Sequence, residues 1–231
     1  MALGTALSAA VDVSTTAGVH TFSLNAAGLT AVNNALGSGI ITVCLMGYHY
    51  DYGNNAPTQD GDHTQIRVYY VEAGGSQRPS LSIDDGGIVE THIAEGSGDA
   101  DDCFVSHNTT DGSVSWDTIR GDVDTSGTLF SSSFSNNFTG VYGRIITGRG
   151  SDVLTQCTRS YFTFYLGGSS LTADSAGIGL YLDNYGHTND DLGKVIIVEA
   201  TELAGSTADF GNCFVADVAV THNATFFGAN F

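Results

Sequence analysis

Basic residues are nearly missing from this chain. Seven Lys and Arg stand against 25 Asp and Glu, Lys194 is the single lysine, and the formal net charge is −18. Nucleic acids and anionic membrane surfaces are held by cations that neutralise phosphate, so neither is an expected partner. Proline is also scarce, with 2 residues against 30 glycines, which leaves turns to Gly, Asn, Asp and Ser. No apolar run approaches the roughly 18 residues of a membrane-spanning helix, so membrane insertion is not expected. The four cysteines, Cys44, Cys103, Cys157 and Cys213, show no CxxC spacing, which argues against a zinc ribbon. Each sits in an apolar or strand-like context, and both buried thiols and disulfides remain open. The first residues, MALGTALSAAVDV, have neither a basic start nor a continuous apolar stretch, so no signal peptide is read there.

Catalytic signatures are missing as well. There is no GxSxG, HExxH, P-loop or GxGxxG–helix unit, and scattered Ser, His and Asp carry no meaning without geometry. Only five Glu are present, too few to pick out a glycosidase pair from spacing. An enzyme is not expected.

What is present is a succession of short apolar segments. The hydrophobic fraction of 42% is enough to bury a core. Val19–Leu24 alternates as a strand does, and Asn25 is a good N-cap for a short helix over Ala26–Asn34 that stops before Gly37. Ile40–Met46 is a continuous apolar run, the pattern of a strand buried on both faces. Gln65–Val71 and Ser80–Ile83 read as strands, and Ile88–Ala100 as a linker. Further strands are read over Cys103–His107, Val141–Thr147, Arg159–Leu166, Gly177–Leu182 and Lys194–Ala200, with a weaker one over Phe214–Val220. Val114–Asp124 reads as a strand or short helix, and Ser126–Asn137 as a hairpin. This pattern predicts an all-β fold, an antiparallel β-sandwich of jelly-roll type with one short helix.

Two halves of the chain resemble the DNRLRE-type β-sandwich module, in permuted order. The segment from HTFSLNAAGLTAVNNALG to RPSLSID looks like the end of such a module. Its features are Leu24–Gly28, Ile40–Met46, Pro57, Glu72 and Pro79–Ile83. The later segment, from DDCFVSHNTT to KVIIVEAT, is similar to its beginning, through Arg159–Leu166, Ser169–Leu171 and Ile178–Leu182. One departure is Tyr165, where the pattern has Asp. The resemblance implies a closing half over 1–87, a linker or crossover over 88–100 and an opening half over 101–231. The halves then form one domain overall, or each is completed by a neighbouring subunit. Such modules occur in phage virion proteins, bacterial surface proteins and polysaccharide-related proteins.

Three groups of residues are candidate sites. Asp51, Asn54, Asp60, Asp62, Asp99 and Asp101 supply loop oxygens of the kind calcium takes, although none fits EF-hand spacing and solvated acidic loops are the plainer reading. Calcium is therefore the one candidate cofactor. Tyr48, Tyr50 and Tyr52 alternate, which predicts one shared strand face able to stack on a glycan or anchor an interface. Asn108, Asn137 and Asn223 fit the N-glycosylation pattern if the protein is secreted by a suitable host. The expectation is a non-enzymatic, self-assembling structural protein on a virion or an extracellular surface. It would contact itself and other virion proteins, as a capsid decoration or fibre subunit. An extracellular filament built by strand exchange and a carbohydrate-binding module are the alternatives.

Overall fold

The computed structural model describes residues 3–13, 17–69, 77–94, 102–109, 114–121, 128–131, 138–147, 153–167, 171–184, 193–201 and 213. The elements in order are β1 (Val11–Asp12), β2 (Gly18–Ser23), α1 (Ala26–Ser38), β3 (Ile40–Gly47), a π-helical turn (Tyr48–Tyr52), β4 (Thr64–Tyr69), β5 (Ser80–Asp84) and β6 (Val89–Ile93). They continue with β7 (Asp102–Thr109), α2 (Trp116–Gly121), β8 (Thr128–Ser131), β9 (Phe138–Thr147), β10 (Val153–Tyr165), β11 (Ser175–Asn184) and β12 (Lys194–Glu199). The result is an all-β antiparallel sandwich, with more helical structure than the single short helix expected.

Two long strands serve as forks. β10 pairs along one side with β7, and on the other side first with β9 (through Thr158) and then with β3 (from Ser160). Arg159 falls at the hand-over. β11 likewise pairs with β2 on one side, and with β5 and then β4 on the other. At each fork the ladder divides, and the sheet folds back over itself as sandwich strands do when they switch sheets. The hydrogen-bonded path runs β1-β12-β3-β10-β9-β4-β11-β5-β6. Strands from before residue 88 and after residue 101 are therefore interleaved in one sheet, and β3 lies between β10 and β12.

Alternation puts two apolar clusters on opposite faces of the central strands. Ile41, Val43 and Leu45 of β3, Phe162 and Phe164 of β10, and Val195 and Ile197 of β12 enter the larger core, with Phe22, Ile178 and Leu180. Cys44, Met46, Cys157, Tyr161, Ile196 and Val198 point the other way, into a smaller cluster with Tyr50, Trp116, Ile119 and Cys213. Being buried on both faces explains why β3 reads as unbroken apolar sequence.

Helix α1 closes one end of the larger core with Val32, Ala35 and Leu36. Asn25 caps it as expected: its Oδ1 accepts from the Ala27 and Gly28 N–H groups at 2.9 and 3.0 Å. The helix runs four residues past the predicted end. Gly37 is exposed in the last turn and costs only about 1 kcal/mol there. The stop comes at Gly39, whose φ of 88° gives the left-handed cap. Asn33 then exchanges two hydrogen bonds with the Ala173 backbone, at 2.8 and 3.1 Å, which ties the helix to the approach of β11.

Most predicted strands are present with bounds shifted by a few residues. The 88–100 linker needs correction: its first part is β6, a full ladder partner of β5. The 114–124 segment is helical, as α2. The Phe214–Val220 strand lies outside the described residues.

Candidate functional site

The turn after β3 is where sequence reading and structure differ most. Tyr48, Tyr50 and Tyr52 do not share a strand face. The chain coils there into a π-helical turn, closed by the Gly53 N–H donating to the Tyr48 carbonyl at 2.8 Å. Alternate positions of a strand lie on one face, but in a wide turn they diverge. Tyr50 is buried, and its hydroxyl donates to the Asp62 carbonyl at 2.6 Å. Burial and the nearby Asp62 charge push the Tyr50 phenol upward. Tyr48 is 40% exposed, and its ring stacks with that of Tyr52 at 5.8 Å between centroids.

The coil aims Asp51 inward. Asp51 is buried and accepts two hydrogen bonds from Arg159, Nε to Oδ2 and NH2 to Oδ1, both at 2.7 Å. Arg159 NH2 also donates to the Arg120 carbonyl at 2.8 Å, and Arg120 Nε donates to the Asp51 carbonyl. The indole N–H of Trp116 donates to the Tyr50 carbonyl at 3.2 Å. Helix α2 therefore clamps the turn against the fork at Arg159. Gly143 of β9 lets Tyr50 approach, since a Cβ there would lie 2.9 Å from the Tyr50 Cβ.

A buried charge is tolerated when it is paired and its remaining donors are satisfied. Burial alone would lower the Arg159 pKa, but the adjacent Asp51 carboxylate outweighs it and the guanidinium is held protonated well above its ordinary value. Around the pair lie the buried thiols of Cys44, Cys157 and Cys213, all unbridged. Burial pushes the Cys44 and Cys157 thiols up, and Asp51 adds to the rise at Cys157. Such thiols are inert, because the thiolate is the reactive form. The arrangement is a structural knot sealed from solvent.

Asp51 is therefore corrected as a calcium candidate, since its oxygens are committed to Arg159. Asn54 and Asp60 sit on the exposed loop that follows, both with positive φ (52° and 53°), and Asp62 is exposed before β4. Asp99 and Asp101 lie outside the described residues. Among the described residues no group of three or more His, Cys, Asp or Glu is placed to hold a metal ion. Of the glycosylation candidates, Asn108 is in β7 opposite Gln156, and Asn137 and Asn223 lie outside the described residues.

Sequence reasoning missed two features. One is the Asp51–Arg159 pair, whose signal was a lone Arg inside the apolar strand RSYFTFYL: a cation there demands a buried carboxylate. The other is the β6 edge. β6 ends the hydrogen-bonded path, and Ile88 and Val89 at its start are 56% and 65% exposed. Tyr165, at the end of β10, is also partly exposed, and its carbonyl lies 3.0 Å from His92 Nδ1. Among the described residues β6 has no second ladder partner, so its edge carries exposed Ile88 and Val89 beside unpaired backbone.

No family model matches the chain, and no curated protein or solved structure matches it. No helix among the described residues is long and apolar enough to cross a membrane.

Proposed function

We propose that this is a non-enzymatic structural protein that assembles with copies of itself, as a capsid decoration or fibre subunit of a virion. The observation that carries the reading is the β6 edge, which among the described residues has no second ladder partner and lies beside exposed Ile88 and Val89. An edge strand of this kind is a template for pairing with another chain. The virion setting rests on the sequence resemblance to DNRLRE-type modules, as does the alternative of an extracellular filament.

Charge sets the condition for assembly. At a net charge of −18, copies repel at long range, and salt shortens that repulsion to about 8 Å at physiological strength. Sedimentation velocity and negative-stain microscopy across ionic strength test the proposal. Oligomers that grow with salt are expected. A monodisperse monomer at every salt and protein concentration overturns it.

A glycan-binding reading has one observation in its favour, the exposed Tyr48 ring backed by Tyr52. Polysaccharide affinity in the monomer that is lost with Tyr48→Ala would establish it in place of assembly.

A further inference from the structure

The β6 edge has a register of its own. The Ala94 N–H donates to the Pro79 carbonyl at 3.0 Å, and the Asp85 N–H to the Ile88 carbonyl at 3.2 Å. Those two pairs lie on the same ladder as Leu81↔His92 and Ile83↔Glu90. In an antiparallel ladder, hydrogen-bonded pairs alternate with non-bonded ones. Glu90 and His92 therefore direct their backbone groups to β5, and Val89, Thr91 and Ile93 direct theirs to the open edge. Side chains follow the same alternation. Glu90 and His92 share the face of buried Leu81 and Ile83, and Thr91 lies on the opposite, exposed face.

Resting on the assembly reading above, we propose that β6 pairs antiparallel with β6 of a second copy about a two-fold axis through Thr91. This register sets Thr91 opposite Thr91, Val89 opposite the partner's Ile93, and Glu90 opposite the partner's His92. Every outward-facing backbone group of one strand then meets an outward-facing group of the other. The apolar pair and the polar pair each form twice, as a two-fold interface requires.

Chemistry at His92 favours the same partner. Its Nδ1 is engaged at the Tyr165 carbonyl, and its Nε2 is buried with no hydrogen-bond partner among the described residues. The chain's own Glu90 carboxylate stands 3.5 Å away without bonding to it. The partner's Glu90, directly across a non-bonded pair, brings a second carboxylate to that nitrogen, where opposed Cβ atoms approach to about 5 Å. Inward-pointing polar residues on an edge strand repel a foreign apolar strand. Here one acidic and one imidazole side chain are spaced so that the strand fits its own copy.

Cysteine cross-linking reads the register directly. Under oxidised glutathione, which takes up the two electrons and two protons of a thiol pair, Thr91→Cys is expected to give a covalent dimer, because paired Cα atoms lie about 5.5 Å apart. Val89→Cys alone is expected to give none, since the two positions are four residues, about 13 Å, apart in this register. Mixing Val89→Cys with Ile93→Cys copies restores the cross-link. Wild type under the same oxidant is the background. Glu90→His and His92→Glu should each weaken dimerisation roughly 2–30-fold, and the exchanged double variant should recover it. If oligomers form in solution but Thr91→Cys stays at background, the register is overturned and the assembly reading stands. Monomers throughout, with no cross-link, overturn both.

Discussion

Removing the carboxylate of Asp51 tests the knot at the β10 fork. Asp51→Asn keeps the side chain's shape but removes its charge and one of two acceptors. It leaves the Arg159 guanidinium buried, with one amide oxygen in place of the carboxylate. Breaking a buried, hydrogen-bonded ion pair from one side costs about 3–5 kcal/mol, because the remaining charge cannot regain water. For a chain of this size that lowers Tm by roughly 6–20 °C. Urea unfolding followed by Trp116 fluorescence measures it well, since the single tryptophan of the chain sits in the knot with its N–H on the Tyr50 carbonyl. Pairing Asp51→Leu with Arg159→Met removes both charges together and should cost several kcal/mol less than the sum of the two single changes. A cost under about 1 kcal/mol for Asp51→Asn, the range of an exposed pair, would refute the claim that the fork depends on this contact.

Three further outcomes follow from the packing and the titrating groups. Gly143→Ala pushes a methyl into the Tyr50 Cβ and should cost about 1–3 kcal/mol in the same unfolding assay. Glu199 is half-buried, and its pKa is raised by burial, partly offset by a hydrogen bond from Thr5. A raised folded pKa means that stability is fully present below the ordinary Glu range and lost as pH rises through the folded value, so Glu199→Gln should flatten the fall of Tm just above that range. In a Cys103→Ser/Cys213→Ser background, Cys44 and Cys157 should react with a thiol reagent no faster than the protein unfolds, because burial keeps both protonated.

Strands with strong local patterning were legible in the sequence. Ile40–Gly47 and the Arg159–Tyr165 end of β10 are apolar enough to declare themselves, and Asn25 carries the helix start in its own chemistry, whereas the stop was read at Gly37 and comes at Gly39. Two other segments misread for opposite reasons. YHYDY alternates like a strand, yet the pull of Arg159 on Asp51, 108 residues apart in sequence, coils it into a π turn. VETHI looks too polar for a strand, yet pairing with β5 satisfies its backbone at an edge, where one face meets water. Alternation records which face a side chain takes only once the backbone is known to be extended, and here a distant contact decides that. The candidate calcium set failed at Asp51 for the same reason: acidity is visible in a sequence, but the cation that already holds it is not.

The position of β3 constrains how the chain is made. Both of its ladder neighbours, β10 and β12, are synthesised long after it, and β12 is complete only at Glu199. At about 5–20 residues per second, the wait between Gly47 and Glu199 is roughly 8–30 s. Until Tyr165 is made the apolar strand IITVCLMG has both edges unpaired, and one edge stays so until β12 follows. An N-terminal fragment ending before β10 would keep that strand exposed indefinitely. A nascent chain of this protein is thus at its most adhesive before its second half exists, and its yield in a cell depends on what shields β3 until then.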